Sequence, residues 1–186
     1  MKARITDKKL ANKNFRKTEE AILKVFFRDE YICANRLAKE AGVARGTVYH
    51  HHDAVRNIIP DYEYYLIAKY RSYLTKISKT KDIKLESLFT RMLLFMVMQK
   101  RFFVILKRGG DARIIGRMID CLRKQIIRRM MITRKKDDIF EIYKSEITTL
   151  VKTWCEEGFD VNEIGKMVEN MVYLAETARM RLGVLK

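Results

Sequence analysis

The sequence predicts an all-α protein of about nine helices, with an N-terminal three-helix helix-turn-helix domain and a C-terminal helical bundle. Apolar residues recur at three- and four-residue spacing from Phe15 to the C-terminus, the period of one helix face, and few stretches alternate as a half-buried strand would. One Pro and eight Gly in 186 residues leave few tight turns. With 48% hydrophobic residues, the chain can bury the core of one compact domain or two small ones.

The first helix is expected over 14–29, with Phe15, Ile22, Val25 and Phe26 on one face. Thr18 followed by Glu19 and Glu20 suits a first turn as well as a mid-helix face, so spacing leaves its start open. A second helix runs from Ala34 to Ala41 and stops at Gly42, a residue suited to a left-handed helix end. A short third helix covers Arg45 to His51, and a fourth runs from Ala54 to Lys79. Pro60 lies inside that fourth pattern, where it removes an amide donor and crowds the carbonyl four residues back. Either a turn precedes a helix beginning at Pro60 or the helix kinks near Arg56, and we favour the kink.

Further helices are expected over 85–99, 101–107, 111–133 and 137–157, with "RGGD" at 108–111 as the clearest break. Gly158 ends the eighth helix, and "DVNE" puts Asp160 at the N-cap and Glu163 at N3 of a ninth that reaches Leu182. The predicted domains are 1–53 and 54–186, joined by the fourth helix.

The net charge of +16 is unevenly placed. Residues 1–28 carry nine Lys/Arg against three acids and residues 100–136 thirteen against two, whereas 137–186 reverse the sign with six against ten. A basic N-terminus suits phosphate binding, because each neutralised phosphate releases counterions; a solubilising surface would have the same composition. The three cysteines, Cys33, Cys121 and Cys155, are odd in number and form no CxxC, which reads as reduced thiols in a cytoplasmic protein. The first 15 residues lack the apolar core of a secretory signal, and "MLLFMVM" at 92–98 falls short of the ~20 residues of a membrane span. No membrane partner is expected.

In "ANRLAKEAGVARGTVYHHH" (34–52), two short helical patterns flank a Gly-containing turn. Leu37, Ala38, Val43 and Val48 are apolar where two steeply crossing helices must touch. That pattern is a helix-turn-helix, whose second helix enters the DNA major groove. All three histidines stand together at its end. Neighbours on a helix are ~100° apart, so three in a row cannot converge on one ion, and no metal is expected. His50 and His51 are assigned to the exposed face with Arg45, Thr47 and Tyr49, groups suited to phosphates or base edges. His52, four residues after Val48, is assigned to the core, where burial should push its pKa below the ordinary value of about 6.5.

These residues resemble a family. "LAKEAGVARGTVYHHH", with "W…EEG…D" at 154–160, looks like the TetR family of bacterial transcriptional repressors. "KRFFVILKRGGDARII" and "VKTWCEEGFDVNEI" are similar to the C-terminal half of the branch common in low-GC Gram-positive bacteria. The resemblance implies an all-helical homodimer with an N-terminal DNA-binding domain and a C-terminal ligand-binding and dimerising domain. It also implies that Arg45, Gly46 and Tyr49 contact bases and phosphates, that Thr47 and His51 contact phosphates, and that Asn35 makes a contact at the start of the second helix. The chain departs from the family where Ala44 replaces a Ser/Thr/Asp cap, at a cost of about 1 kcal/mol. His52 also replaces a large apolar residue, Val55 replaces a phosphate-gripping Lys, and the loop between the first two helices is short.

In 111–133, Ile115, Met118, Ile119, Leu122, Ile126 and Met130 form an apolar stripe, and Arg113, Arg117, Lys124 and Arg128 a basic ridge. The ridge reads as a solvated face, as a second nucleic-acid or partner surface, or as cations holding an anionic effector. For an effector pocket, which the resemblance implies, the walls assigned are Tyr65, Phe95, Phe102, Phe103 and Tyr143, residues that also suit plain core. Trp154 is expected to pack the end of its helix. The homodimer is expected through the helices over 137–157 and 160–182, by Thr148, Val151, Cys155, Met167, Met171, Ala175 and Ala178.

No G-x-S-x-G, phosphate loop or H-E-x-x-H occurs, and no His outside the third helix could pair with a Cys. No catalytic residue or cofactor is therefore assigned. The expected partners are double-stranded DNA, a second copy of the chain and an unidentified small-molecule effector. The alternative is a DNA-bound architectural or adaptor protein without an effector.

Overall fold

The computed structural model describes residues 12–26, 28, 33–77, 83–100, 102, 103, 112–130 and 136–181. Among them all regular structure is helical. The α-helices are α1 (Lys13–Phe26), α2 (Ala34–Glu40), α3 (Arg45–His51), α4 (Ile58–Ile77), α5 (Leu85–Met98), α6 (Arg113–Arg129), α7 (Lys136–Glu157) and α8 (Ile164–Arg181). Short 3-10 turns at Val55–Asn57 and Val161–Glu163 precede α4 and α8. Phe102 and Phe103 are helical, while the rest of the helix expected at 101–107, apart from these two, and the "RGGD" break lie outside the described residues. The basic arm at 1–11 does too.

The helix start that spacing left open is set by Asn12, whose Oδ1 accepts from the amides of Asn14 (2.9 Å) and Phe15 (3.2 Å). That satisfies two of the first-turn donors that lack an intrahelical acceptor. Gly42 ends the α2 segment at φ +67°, where a side chain would be strained. Asp160 accepts from the amide of Asn162 at 2.9 Å, the expected cap, though the turn it starts is 3-10.

The kink expected near Arg56 is not what forms. A 3-10 turn precedes a helix that starts at Ile58, so Pro60 sits in the first turn. There its missing amide costs no hydrogen bond, which removes the reason for a kink.

The chain divides into two compact units, 1–72 and 73–186, with the boundary inside α4. The first half of α4 belongs with the N-terminal helices through its side chains. Asp61 bonds to His52, and the Tyr65 hydroxyl donates to Glu20 Oε1 at 3.2 Å.

In the second unit α5, α6, α7 and α8 form a closed ring of neighbours: α5 on α6, α6 on α7, α7 on α8, and α8 back on α5. The predicted stripe Ile115, Met118, Ile119, Leu122, Ile126 and Met130 is buried in it. Arg123 on the outside of α6 pairs with Asp137 (2.7 Å) and Glu141 (3.0 Å) of α7, and Lys144 with Asp120 (2.9 Å). Such exposed pairs add little stability, so the apolar core holds the bundle. Among the described residues no helix is long and apolar enough to cross a membrane.

Candidate functional site

The candidate site begins with α2 and α3. Leu37 and Ala38 on α2 and Val48 on α3 are buried, which fixes which side of α3 faces in. Around the rest of α3 Arg45, Gly46, Tyr49 and His50 are all exposed, with Thr47 partly so; Asn35 is exposed on α2. The Arg45 guanidinium lies 5.5 Å from the Tyr49 ring centroid, so the two form one cationic-aromatic patch. Tyr49 is 37% exposed, high for so large an aromatic. Ala44 has the extended backbone of a cap residue (φ −68°, ψ 147°) but no side chain to cap with.

His51 does not belong to that patch. It is 3% exposed, and its ring stacks on Phe15 with centroids 4.0 Å apart and planes 4° apart. Its Nδ1 lies 2.7 Å from Glu19 Oε2. The reason is helix phase: three residues past Val48 is −60° around the cylinder, beside the buried ridge, whereas His50 falls near the opposite side.

His52 is buried as expected, though not as part of the helix. α3 stops at His51, and His52 is extended (φ −131°, ψ 138°), with its amide bonded to the Val48 carbonyl at 2.8 Å. Its Nδ1 lies 2.9 Å from Asp61 Oδ2, and its Nε2 lies 3.2 Å from Glu19 Oε1, within ion-pair reach but without hydrogen-bond alignment. His51, Glu19, His52 and Asp61 thus form a buried polar chain linking α3, α1 and α4. Their polar atoms face one another, and among the described residues no three His, Cys, Asp or Glu side chains are grouped as metal ligands.

The chain reverses the pKa expected for His52. Burial alone would lower it, but the hydrogen bond to Asp61, the close approach of Glu19 and the charges of both carboxylates outweigh burial and raise it to about 9. Glu19 is pushed up by burial and pulled down further by His51 and His52, so it is held below the usual carboxylate value. Sequence reasoning missed both carboxylates. The signal was there: Glu19 lies four residues after Phe15 and three before Ile22, and Asp61 three after Ile58, each in phase with an apolar stripe.

The assigned pocket residues are all buried. Tyr65 belongs to the first unit, where it bonds to Glu20. In the second unit Phe102 and Phe103 meet edge to face at 5.4 Å, and Phe103 continues to Phe159 at 6.0 Å. Phe95 lies beside Tyr73, and the Tyr143 hydroxyl donates to the Met171 carbonyl at 2.8 Å. Trp154 packs the end of α7 as expected, 5.1 Å from Phe159, with Nε1 donating to the Asp160 carbonyl. Gly158 (φ 110°) and Phe159 (φ 62°) turn the chain so that this ring folds inward.

The face expected to make the dimer is also turned inward. Val151, Cys155, Met167, Met171, Ala175 and Ala178 are buried within the single chain, where α7 and α8 pack on each other and α8 on α5. The large apolar residues left outside on these helices are Ile142, Tyr173 and Met180. Comparison with protein-family models, with curated proteins and with solved structures yields no match.

Proposed function

We propose that the chain is a DNA-binding transcriptional regulator of the TetR type, a repressor released from its operator by a small-molecule effector. The observation that carries this reading is the two-sidedness of α3. Val48 anchors the inner side, and Arg45, Gly46, Tyr49 and His50 stand exposed around the rest of the helix, directly after the Gly42 turn. Arg offers a fork of donors that fits guanine edges and phosphates, Tyr and His offer single polar atoms, and Gly46 lets the backbone come close. Thr47 is assigned a phosphate contact and Asn35 a contact at the start of α2, and a net charge of +16 supplies long-range attraction.

The reading includes a homodimer through α7 and α8, since two α3 helices about 34–36 Å apart would reach successive major grooves. With the small-residue face buried, that contact would use the outward stripe bearing Tyr173 and Met180.

Selection of bound duplexes from a random library, with affinity then measured against salt, tests the reading. The expected outcome is enrichment of a two-half-site sequence and an affinity that falls steeply with salt. Deleting residues 1–13 should flatten that slope if Lys2, Lys8, Lys9 and Lys13 neutralise phosphates. Binding without sequence preference would overturn the regulator reading.

One observation favours the alternative, an architectural or adaptor protein without an effector. Phe102, Phe103 and Tyr143 are fully buried against protein, and the Tyr143 hydroxyl already has a backbone partner. Titrating the DNA complex against a metabolite library separates the two, since only the effector reading expects release.

A further inference from the structure

A helix as short as α3, seven residues, is not stable by itself, so its direction is set by what holds its ends. Its N-terminus follows the Gly42 turn and has no side-chain cap. Its C-terminus is held differently. The last helical residue, His51, and the next, His52, reach the two oxygens of one carboxylate, Glu19 of α1, at 2.7 and 3.2 Å. The second nitrogen of His52 reaches Asp61 of α4 at 2.9 Å.

A neutral imidazole has one N–H and one lone pair, whereas both nitrogens of His52 face carboxylate oxygens. Only the doubly protonated ring turns an N–H toward each, in a hydrogen bond to Asp61 and in an ion-pair contact with Glu19 that lacks hydrogen-bond alignment. We propose that His52 is a positioning residue for α3: its imidazolium, held between Glu19 of α1 and Asp61 of α4, fixes where α3 ends and the direction in which its exposed face is presented. The consequence for binding rests on the DNA reading of α3; the positioning itself does not.

Among the described residues, the charged and titratable groups around His52 bear on the same balance. From α1 come Glu19 and Glu20, from α3 His51, and from α4 Asp61, Tyr62 and Tyr65, the last donating to Glu20 and stacking on Tyr62. Loss of the His52 proton leaves a lone pair against a buried carboxylate, in surroundings that screen charge poorly. The cheapest relief is movement of the segment that carries His52, and α3 moves with it.

The test is an NMR titration of the full chain without DNA, following the His52 imidazole and the methyl groups of Val48, the buried anchor of α3. His52 is expected to titrate near pH 9, with the Val48 methyls shifting at the same midpoint. Asp61→Asn should lower both midpoints together by about one pH unit or more, Asp61→Glu should restore them, and His52→Phe should abolish the Val48 step. A flat Val48 signal while His52 titrates, a His52 midpoint near the ordinary value, or a Val48 step that survives His52→Phe would each overturn the proposal. Should His52→Phe fail to fold, the unmodified chain and Asp61→Asn still decide. Since no DNA enters this experiment, failure of DNA binding counts against the proposed function alone.

Discussion

His52 and Asp61 meet in the core of the N-terminal unit, Nδ1 to Oδ2 at 2.9 Å, and tie the exit of α3 to the first turn of α4. That contact, with Glu19 on the other ring nitrogen, converts a buried histidine from a liability in acid into a stabilising group.

Stability should therefore depend on pH in the sense opposite to that of an unpaired buried histidine. The folded pKa of His52, about 9, lies above its unfolded value of 6.5, so its contribution is whole below pH 6.5 and is lost as pH rises through 9. A shift of that size corresponds to a contribution on the order of 3 kcal/mol. Glu19 acts at the other end: its pKa is lowered, so its contribution is present above the usual carboxylate value and is lost as pH falls through the folded one. Urea denaturation at pH 6, 8 and 10 should show a declining free energy of unfolding. A constant value across that range would contradict it.

Ala44→Ser should stabilise the protein by about 1 kcal/mol. Ala44 already has cap-like backbone angles, and a hydroxyl there would accept from a first-turn amide of α3. An unchanged or lower melting temperature would show that the start of α3 is not limited by its missing cap.

Arg45→Ala and Tyr49→Ala should each weaken specific DNA binding by about 1–3 kcal/mol per lost base contact. Both side chains are outside the core, so helical content measured by circular dichroism should not change. If the folded double variant keeps full operator affinity, α3 does not read the operator.

Sedimentation should separate the two faces of α8. Tyr173 is 64% and Met180 54% exposed, seven residues apart on one stripe, so Tyr173→Glu with Met180→Glu should yield a folded monomer. Met171, fully buried in the same helix, should instead unfold the chain when changed to Glu, because it would place a charge in the core. A monomer at micromolar concentration before any substitution would remove the dimer from the proposed function.

The sequence alone was enough for the helical class and for most element limits, because periodicity, Gly42, Asp160 and the scarcity of Pro act within a few residues of where they stand. The α3 span and the buried stripe of α6 follow from such local rules. Tertiary structure decided what local rules leave open. Glu19 meets His51 across 32 residues of chain, which gives the polar edge of a histidine lying beside the buried ridge its partner in the core. Two carboxylates converging on His52 reversed the direction of its pKa, a result set by which distant groups arrive and not by burial alone. The apolar faces of α7 and α8 were visible in the sequence, but an apolar stripe does not say whether its partner is another part of the chain or a second copy. The ring of four helices resolved that by burying it within one chain.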